Sequence, residues 1–541
     1  MVRAWELPVN ENPGSARGKA STFFLCRCAL ENSGANSRAR FGGELTSARE
    51  WLVISGAGAG IENERAAPQP TAIDQYSSVV YELPEAYVPP LSGTWRNSMK
   101  ELPALSAGSG LPSTIVRSAV GGVLGGSLAA LVVIGFTEIL KGMLAVVSGQ
   151  HTWVLILAPL IGLALSVLVL YGFGLSGEIE SFERPTWAGK WRSFAPRASR
   201  SDLTGDLVGS AGEEERLPWR LAPIRIVAMI ATVGLGAAMG TEAPAAYLGV
   251  ATGVALGNRW WRRLLRPAAV AGGAAGVAAL IGIPLLGTAY ILELGRRHHA
   301  PLNVERVTAA LVGGFVGWLL HIALGVDLLR LVVPKEPPHT FYQAMITALF
   351  IGALSGTITA ISGAAIYRAK AFMVHPILRL TLGGLVLGVA AVILVKIAAP
   401  SAAVGPGGGA ITWVESTPAS ALTIFAVDIL RAIATTSAAA AGGCGGLFVP
   451  FLAIGDLAGR VFAPSLRVPG DLAGAAGAAG GISGGYHLPF TAVAMVLGQG
   501  GPPLAMLTCL ATVVVAGSTG AVVALVVGHS YIEKRPHQLE A

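Results

Sequence analysis

The amino-acid sequence predicts an all-α polytopic membrane protein. Only 13% of its 541 residues are charged and 53% are hydrophobic, whereas roughly a quarter of the residues in a soluble domain are charged. Several apolar segments are long enough to cross the hydrocarbon core of a bilayer as helices. The 71 glycines favour close helix packing, because small residues let two backbones approach each other in lipid.

The first 110 residues differ from the rest of the chain. Residues 1–110 are polar and rich in glycine, serine and proline, and they show no sustained hydrophobic periodicity. This composition predicts a poorly ordered tail. The tail lacks the clean apolar segment of a signal peptide. Translation from Met99 is the alternative, and it would make most of the tail an extension of the coding sequence.

The membrane domain is predicted over residues 111–535, followed by a short tail, 532–541. Its helices are expected near residues 115–147, 152–175, 222–239, 243–257, 267–283, 285–295, 304–326, 341–366, 376–399, 420–440, 446–462, 472–484, 489–499 and 503–527. Several of these are shorter than the roughly 20 residues that a crossing needs. Short spans interrupted by glycine and proline are typical of transporters built from repeats, whose site lies where broken helices meet.

Basic residues cluster in four short connections, 183–200, 258–266, 296–299 and 367–370. The positive-inside rule assigns such connections to the cytoplasmic face. We therefore expect a multi-pass protein of the cell membrane with both termini in the cytoplasm. The lipid bilayer is an expected partner, and nucleic acid is not, since no basic cluster lies on a predicted soluble domain.

Two segments about 200 residues apart share one glycine–proline frame. The first is GTEAP, Gly240 to Pro244, and the second is GLFVP, Gly446 to Pro450. An Ala-Ala-Gly run and a further proline follow each frame in the same order and at nearly the same distance. We interpret this pattern as an internal duplication whose orientation the sequence leaves open, although inverted repeats are commoner. The two repeats are expected at about 115–300 and about 304–531.

Each frame is predicted to begin a helix, because proline is tolerated in the first turn, where its missing N–H is not needed. The free N–H groups and the positive end of the helix dipole would then be exposed at that point. Two such helix ends that meet inside a membrane can bind an anion without a full positive charge. The alternative is that the frames merely allow close packing.

The first frame carries a carboxylate, Glu242, in an otherwise apolar segment. A carboxylate in lipid is costly and therefore indicates a functional site, while a helix N-terminus stabilises its charged form. A tethered carboxylate can take the place of an external anion and leave when it is protonated. Glu242 is therefore predicted to be a gate, with a plain helix cap as the alternative.

These motifs resemble those of the CLC family of voltage-gated chloride channels and proton/chloride exchangers. GTEAP is similar to the family's G-[KR]-E-G-P and GLFVP matches its G-x-F-x-P, while IPLLGTAYILEL and LPFTAVAMVLG look like the two helices that follow. The resemblance runs from about residue 115 to the end. It implies a CLC-type inverted-repeat helical bundle, with broken helices that meet at a central anion site, and a homodimer with one anion pathway in each subunit. The short tail implies a prokaryotic type without nucleotide-binding regulatory (CBS) domains.

The resemblance also implies roles for individual residues. Glu242 becomes the outer gating glutamate. Tyr531 lies where the family has its inner-gate tyrosine, with an interfacial anchor as the alternative. Ser201 is the best match to a family serine motif that is not intact here. The implied anion-contacting positions are Ser201, Ala243, Leu447, Phe448 and Tyr531.

Three positions depart from the family pattern. Thr241 replaces a basic residue, which should weaken the steering of anions, and Ala243 replaces a glycine, so that its Cβ restricts the backbone. Leu294 stands where exchangers usually carry an inner proton-transfer glutamate. The adjacent Glu293 is a candidate proton relay, but neighbouring helical residues face about 100° apart. Proton coupling is therefore in doubt, whereas anion transport is not.

The predicted function is transmembrane transport of chloride and similar small anions, gated by Glu242. Channel-like conduction is favoured, because a leucine cannot relay a proton. A proton-coupled chloride antiporter is the alternative, and a fluoride-selective member of the same fold is a further one. An intramembrane hydrolase is the alternative from another class, but His321 and His487 have no evident catalytic partner, so no enzyme activity is expected. No cofactor or metal is expected either, since the four cysteines follow no metal or disulfide pattern.

Overall fold

The computed structural model describes residues 110–172, 201–297, 300–325, 341–372, 375–499 and 507–527. These residues form α-helices with a few short 3₁₀ and π segments and one isolated β-bridge. Ten of the helical segments are long and apolar enough to cross a membrane. The prediction of an all-α polytopic membrane protein is therefore confirmed.

The first repeat contains eight α-helices within its described residues. They are α1 (Leu111–Ser148), α2 (Thr152–Gly172), α3 (Leu203–Gly209), α4 (Ala222–Met229), α5 (Glu242–Arg259), α6 (Leu265–Ile281), α7 (Pro284–Arg297) and α8 (Val304–Leu324). Helix α4 continues into a π-helical segment, Ile230–Gly234. Helix α3 is an element that the sequence analysis missed, because seven residues are too few to show a periodic pattern.

The second repeat is described from residue 341 onward. Its helices are α9 (Phe341–Phe372), α10 (Pro376–Ile397), α11 (Pro400–Ala403), α12 (Gly408–Ser416), α13 (Ala421–Ala440), α14 (Phe448–Leu466), α15 (Gly470–Tyr486), α16 (Pro489–Gln499) and α17 (Leu507–Val527). The short helices α11 and α12 were also missed, since they lie in a glycine- and proline-rich segment that is typical of a loop.

The two repeats pack their helices in the same way. Helix α6 packs against α1, α5 and α8, and helix α15 packs against α9, α14 and α17 in the same manner. Helix α8 is therefore the counterpart of α17 and closes the first repeat, whereas the second repeat was expected to begin near residue 304. Gly240 and Gly446 form an antiparallel bridge in which each N–H donates to the other's carbonyl at 2.7 Å. Equivalent residues that pair antiparallel are what an inversion of one repeat relative to the other requires. The orientation that the sequence left open is therefore inverted.

Matching glycines let the helices approach closely in each repeat. Gly249 of α5 faces the carbonyl oxygen of Gly272 in α6, and Gly455 of α14 faces that of Gly477 in α15. A Cβ at Gly249 or at Gly455 would collide with the backbone of the neighbouring helix. The high glycine content thus serves close packing, and it holds α5 and α14 firmly at the centre of the molecule.

Helix α13 carries a fully buried carboxylate. Neither carboxylate oxygen of Asp428 has a hydrogen-bond partner among the described residues. The guanidinium of Arg431, one turn further on, donates instead to the carbonyl oxygens of Ala402 at 3.3 Å and Gly405 at 2.8 Å. A buried acidic group without a partner lowers the stability of the fold.

Replacing Asp428 by Leu should therefore raise the free energy of unfolding by about 1–3 kcal/mol, because an unsatisfied buried polar group gives way to an apolar one of similar size. The melting temperature of the purified protein in detergent measures this effect. Arg431→Leu is the matched control on the same helix and should lower the melting temperature, since it removes two hydrogen bonds. A lower melting temperature for Asp428→Leu would contradict the prediction.

Candidate functional site

Two helix N-termini meet at the centre of the molecule. Helix α5 begins at Glu242 and helix α14 begins at Phe448, and the bridge between Gly240 and Gly446 holds the residues before them side by side. Both glycine–proline frames therefore begin helices, as the sequence predicts. Pro244 and Pro450 lie buried in the first turn of their helices.

The carboxylate of Glu242 reaches across from the first repeat to the second. Its side chain is only 2% exposed. Its Oε2 accepts a hydrogen bond from the N–H of Val449 at 3.4 Å, and its Oε1 accepts one from the hydroxyl of Thr241 at 3.5 Å. Both distances exceed the usual 2.7–3.2 Å, so the bonds are weak. Glu242 thus places a carboxylate at the positive end of helix α14 through contacts that can exchange.

Close approach of the two frames depends on glycine. A Cβ added to Gly446 would lie 3.1 Å from the backbone nitrogen of Ala243 and 3.3 Å from Oε2 of Glu242. Ala243 itself is fully buried in the first turn of α5. Ala243 and Leu447, two of the predicted anion-contacting positions, therefore both lie at this junction.

Aromatic side chains surround the start of α14. The N–H of Leu447 donates to the hydroxyl oxygen of Tyr486, the last residue of α15, at 2.9 Å. The Phe448 ring packs edge-on between Tyr290 and Tyr486, with centroid separations of 5.9 and 6.1 Å. The sequence analysis did not single out either tyrosine, although each is a lone phenol in one of the helical segments that follow the two frames.

A small cavity lies on the α3 side of this junction. Ser201 is buried, and the next residue, Asp202, accepts a hydrogen bond from the N–H of Gly205 at 2.8 Å and so caps α3. The structure therefore brings Ser201 and Leu447 to one cavity. The residues around it include Ser201, Asp202, Thr204, Met239, Gly445 and Leu447. Tyr531 lies outside the described residues.

Glu293 holds the N-terminus of another helix. Its carboxylate accepts hydrogen bonds from the N–H of Phe490 at 3.1 Å, and from the N–H and hydroxyl of Thr491 at 2.8 and 2.6 Å. Glu293 thus caps α16, while the neighbouring Leu294 is 2% exposed and packs in the core. A carboxylate that accepts three hydrogen bonds at this point stabilises the start of α16.

Each of the two lone histidines is hydrogen-bonded to a neighbouring helix. The ring Nδ1 of His321 lies 2.8 Å from the carbonyl oxygen of Ala279, and the carbonyl oxygen of His487 accepts a hydrogen bond from Arg297. Within the described part of the chain, no group of three or more His, Cys, Asp or Glu side chains could hold a metal ion.

Known proteins share this sequence pattern and this architecture. A family model described as "Voltage gated chloride channel" matches residues 187–521. The H(+)/Cl(-) exchange transporter ClcA of Yersinia pestis bv. Antiqua is 23% identical over 406 residues, which cover 71% of this chain and 79% of that protein. The chloride/fluoride channel protein of Pseudomonas syringae pv. tomato is 28% identical over 327 residues, which cover 58% and 70%.

Among solved structures, that of a slow cyanobacterial Cl-/H+ antiporter is similar to this one. It aligns with a TM-score of 0.58 and 19% identity, over 76% of this chain and 95% of that chain. At this identity the likeness shows the fold alone. The family model, however, matches more than half of the chain. The chain therefore belongs to the voltage gated chloride channel family.

Proposed function

We propose that this protein is an antiporter that exchanges chloride for protons across the cell membrane, and that both ions use Glu242. The hydrogen bond from the N–H of Val449 to the Glu242 carboxylate carries the proposal, since it puts a titratable group on a donor that an anion could use. Antiport is favoured over channel-like conduction because relatives are named as proton/chloride exchangers.

The geometry suggests how one group can serve both ions. Ionised Glu242 places its negative charge at the positive end of α14. A protonated carboxyl is neutral and a weaker acceptor, so its 3.4 Å bond to Val449 is easily lost. An anion can then accept the freed N–H. Proton binding and anion binding are thereby linked at one place, which is the requirement for coupled exchange.

The residues on the cytoplasmic side of a proton path to Glu242 favour a second candidate function, channel-like conduction. Leu294 is apolar and buried where exchangers of the family usually carry a glutamate, and Glu293 caps α16. If protons cannot reach Glu242 from the cytoplasm, the same site conducts anions passively. Fluoride is the alternative cargo, since one relative is named as a chloride/fluoride channel protein.

The remaining assignments belong to the same proposal. Residues 111–535 form the transport domain, which works as a homodimer with one pathway in each subunit and with both termini in the cytoplasm. Ser201, Ala243, Leu447, Phe448 and Tyr531 contact the anion along that pathway. The burial of Ser201, Ala243, Leu447 and Phe448 around one junction supports this assignment for four of the five residues.

Reconstitution in liposomes tests the function. The full-length protein is placed in vesicles with an outward chloride gradient, the voltage is clamped with potassium and valinomycin, and chloride efflux and external pH are recorded together. Chloride efflux that drives protons inward supports antiport. Chloride efflux without proton movement, even against a set pH gradient, supports channel-like conduction. A folded protein that moves no chloride would overturn the proposal.

The part played by Glu293 can be tested separately. If Glu293 only caps α16, Glu293→Ala should lower the free energy of unfolding by about 1–2 kcal/mol. Glu293→Gln keeps an acceptor oxygen and should leave the ratio of protons to anions unchanged. The ratio is read from the same vesicle recordings. A ratio that falls severalfold in Glu293→Gln, from a protein of unchanged melting temperature, would instead identify Glu293 as the proton relay.

A further inference from the structure

The start of helix α14 is contacted from two sides. The N–H of Val449 donates to the carboxylate of Glu242 at 3.4 Å, and the N–H of Leu447 donates to the hydroxyl of Tyr486 at 2.9 Å. Tyr486 is 1% exposed. Leu447, whose N–H this hydroxyl accepts, lines the cavity beside Ser201. The Tyr486 hydroxyl thus lies between the gate carboxylate and that cavity.

A second tyrosine hydroxyl, that of Tyr290, lies near the Tyr486 hydroxyl and the Glu242 carboxylate. Tyr290 is fully buried, and its hydroxyl has no hydrogen-bond partner among the described residues. It lies within electrostatic range of the Tyr486 hydroxyl and the Glu242 carboxylate. Buried tyrosine hydroxyls usually have a partner. An unpaired one beside a transport site indicates a donor reserved for a passing ligand.

We infer that the hydroxyls of Tyr290 and Tyr486 contact the transported anion between Glu242 and the cavity at Ser201, and make this step selective for small anions of high charge density. The inference rests on the proposed function and deepens it. Neither tyrosine belongs to the two glycine–proline frames or to the positions assigned from the sequence.

The contact involves an exchange of hydrogen bonds and no covalent step. An anion that accepts the N–H of Leu447 takes the place of the Tyr486 oxygen, and the freed hydroxyl can rotate and donate its O–H to the anion. The Tyr290 hydroxyl supplies a second O–H donor. Three neutral donors, the Leu447 N–H and the two hydroxyls, thereby replace part of the hydration shell of the anion.

Such donors discriminate by charge density. A hydrogen bond to an ion is stronger than one between neutral groups, and it strengthens as the charge of the anion is concentrated in a smaller volume. Chloride therefore gains more from the two hydroxyls than thiocyanate does. Removal of a hydroxyl should penalise chloride selectively, because specificity is a difference between two affinities.

The experiment compares chloride and thiocyanate efflux from vesicles that contain full-length protein. Tyr486→Phe and Tyr290→Phe each remove one hydroxyl and keep the ring. We expect each to lower the ratio of the chloride rate to the thiocyanate rate by about three- to tenfold, because thiocyanate loses part of the same hydrogen-bond energy and only the difference between the two anions enters the ratio. Tyr247→Phe is the matched control, since the buried hydroxyl of Tyr247 donates to the Pro218 carbonyl at 2.8 Å, and it should leave the ratio unchanged.

Tyr290→Phe tests the inference even if Tyr486→Phe does not fold. Tyr290→Phe removes no hydrogen bond within the described part of the chain, so it should fold as the parent does. An unchanged ratio in Tyr290→Phe, from a parent that transports chloride, would overturn the inference and leave the proposed function standing. A parent that moves neither anion would overturn the proposed function and this site with it.

Discussion

Glu242→Gln should raise anion flux at neutral pH and make the flux independent of pH. Glutamine has nearly the shape of glutamate but cannot ionise, so it places no charge on the Val449 N–H that Glu242 contacts at 3.4 Å. A hydrogen bond to a charged group contributes about 1.5–3 kcal/mol, a bond as long as this one belongs at the lower end of that range, and each 1.4 kcal/mol corresponds to tenfold in an equilibrium. We therefore expect flux at neutral pH to rise by about tenfold or more, provided that opening of the gate limits the rate.

The sign of the pH dependence follows from the same contact. Lowering the pH protonates Glu242, weakens its hold on α14 and should increase flux in the parent protein. In Glu242→Gln the flux should stay level from acid to neutral pH, and anion efflux should no longer drive protons. Vesicle recordings at a series of pH values measure both effects.

Glu305→Gln provides the control for the gate. Glu305 pairs with Arg117 at 3.1 Å in a partly exposed position, so its replacement should leave the pH profile of the parent unchanged. If Glu242→Gln retains both the pH profile and the flux of the parent, Glu242 is not the gate.

Gly455→Leu should prevent stable packing of the second repeat. A Cβ at this position collides with the carbonyl of Gly477 in α15, and the longer leucine side chain would force α14 and α15 apart. Overpacking of a tight contact typically costs about 1–3 kcal/mol and sometimes more, and we expect the upper end here because the colliding group is backbone. The melting temperature and the fraction of monodisperse protein in detergent measure the loss.

The equivalent glycine of the first repeat gives a companion variant, and a glycine of α1 gives a control. Gly249→Leu should have a comparable effect in the first repeat, since Gly249 faces the carbonyl of Gly272. Gly142→Leu on α1 should be tolerated, because a Cβ at Gly142 meets no atom within 4 Å. Equal losses in Gly142→Leu and Gly455→Leu would show that close packing of α14 on α15 is not the cause.

Local chemistry made the two frames predictable. Proline in a first turn and glycine at a close approach are local requirements, so Gly240 to Pro244 and Gly446 to Pro450 could be recognised as helix starts. The hypothesis that Glu242 is functional followed from the cost of a carboxylate in lipid. The hydrogen bond from Val449 of the other repeat could not be predicted in this way, because it depends on how the repeats are placed relative to each other.

The contacts that the sequence analysis missed are long-range ones. Glu293 was named from the sequence only as a candidate proton relay, and its contact with the N-terminus of α16, about 200 residues further along the chain, was not foreseen. Tyr290 and Tyr486 come together only because α7 and α15 both pack near the start of α14. The periodicity of a sequence describes one helix at a time, so it does not predict which side chains of different helices come into contact.

The antiparallel bridge between Gly240 and Gly446 fixes the backbones of the two repeats to each other at this point. Its two hydrogen bonds of 2.7 Å join the repeats directly beside Glu242, so the repeats cannot swing apart there without breaking both bonds. We therefore expect ion passage at this point to depend on rearrangement of side chains around a stationary backbone. A pair of spin labels on α5 and α14 should accordingly keep the same separation throughout the transport cycle.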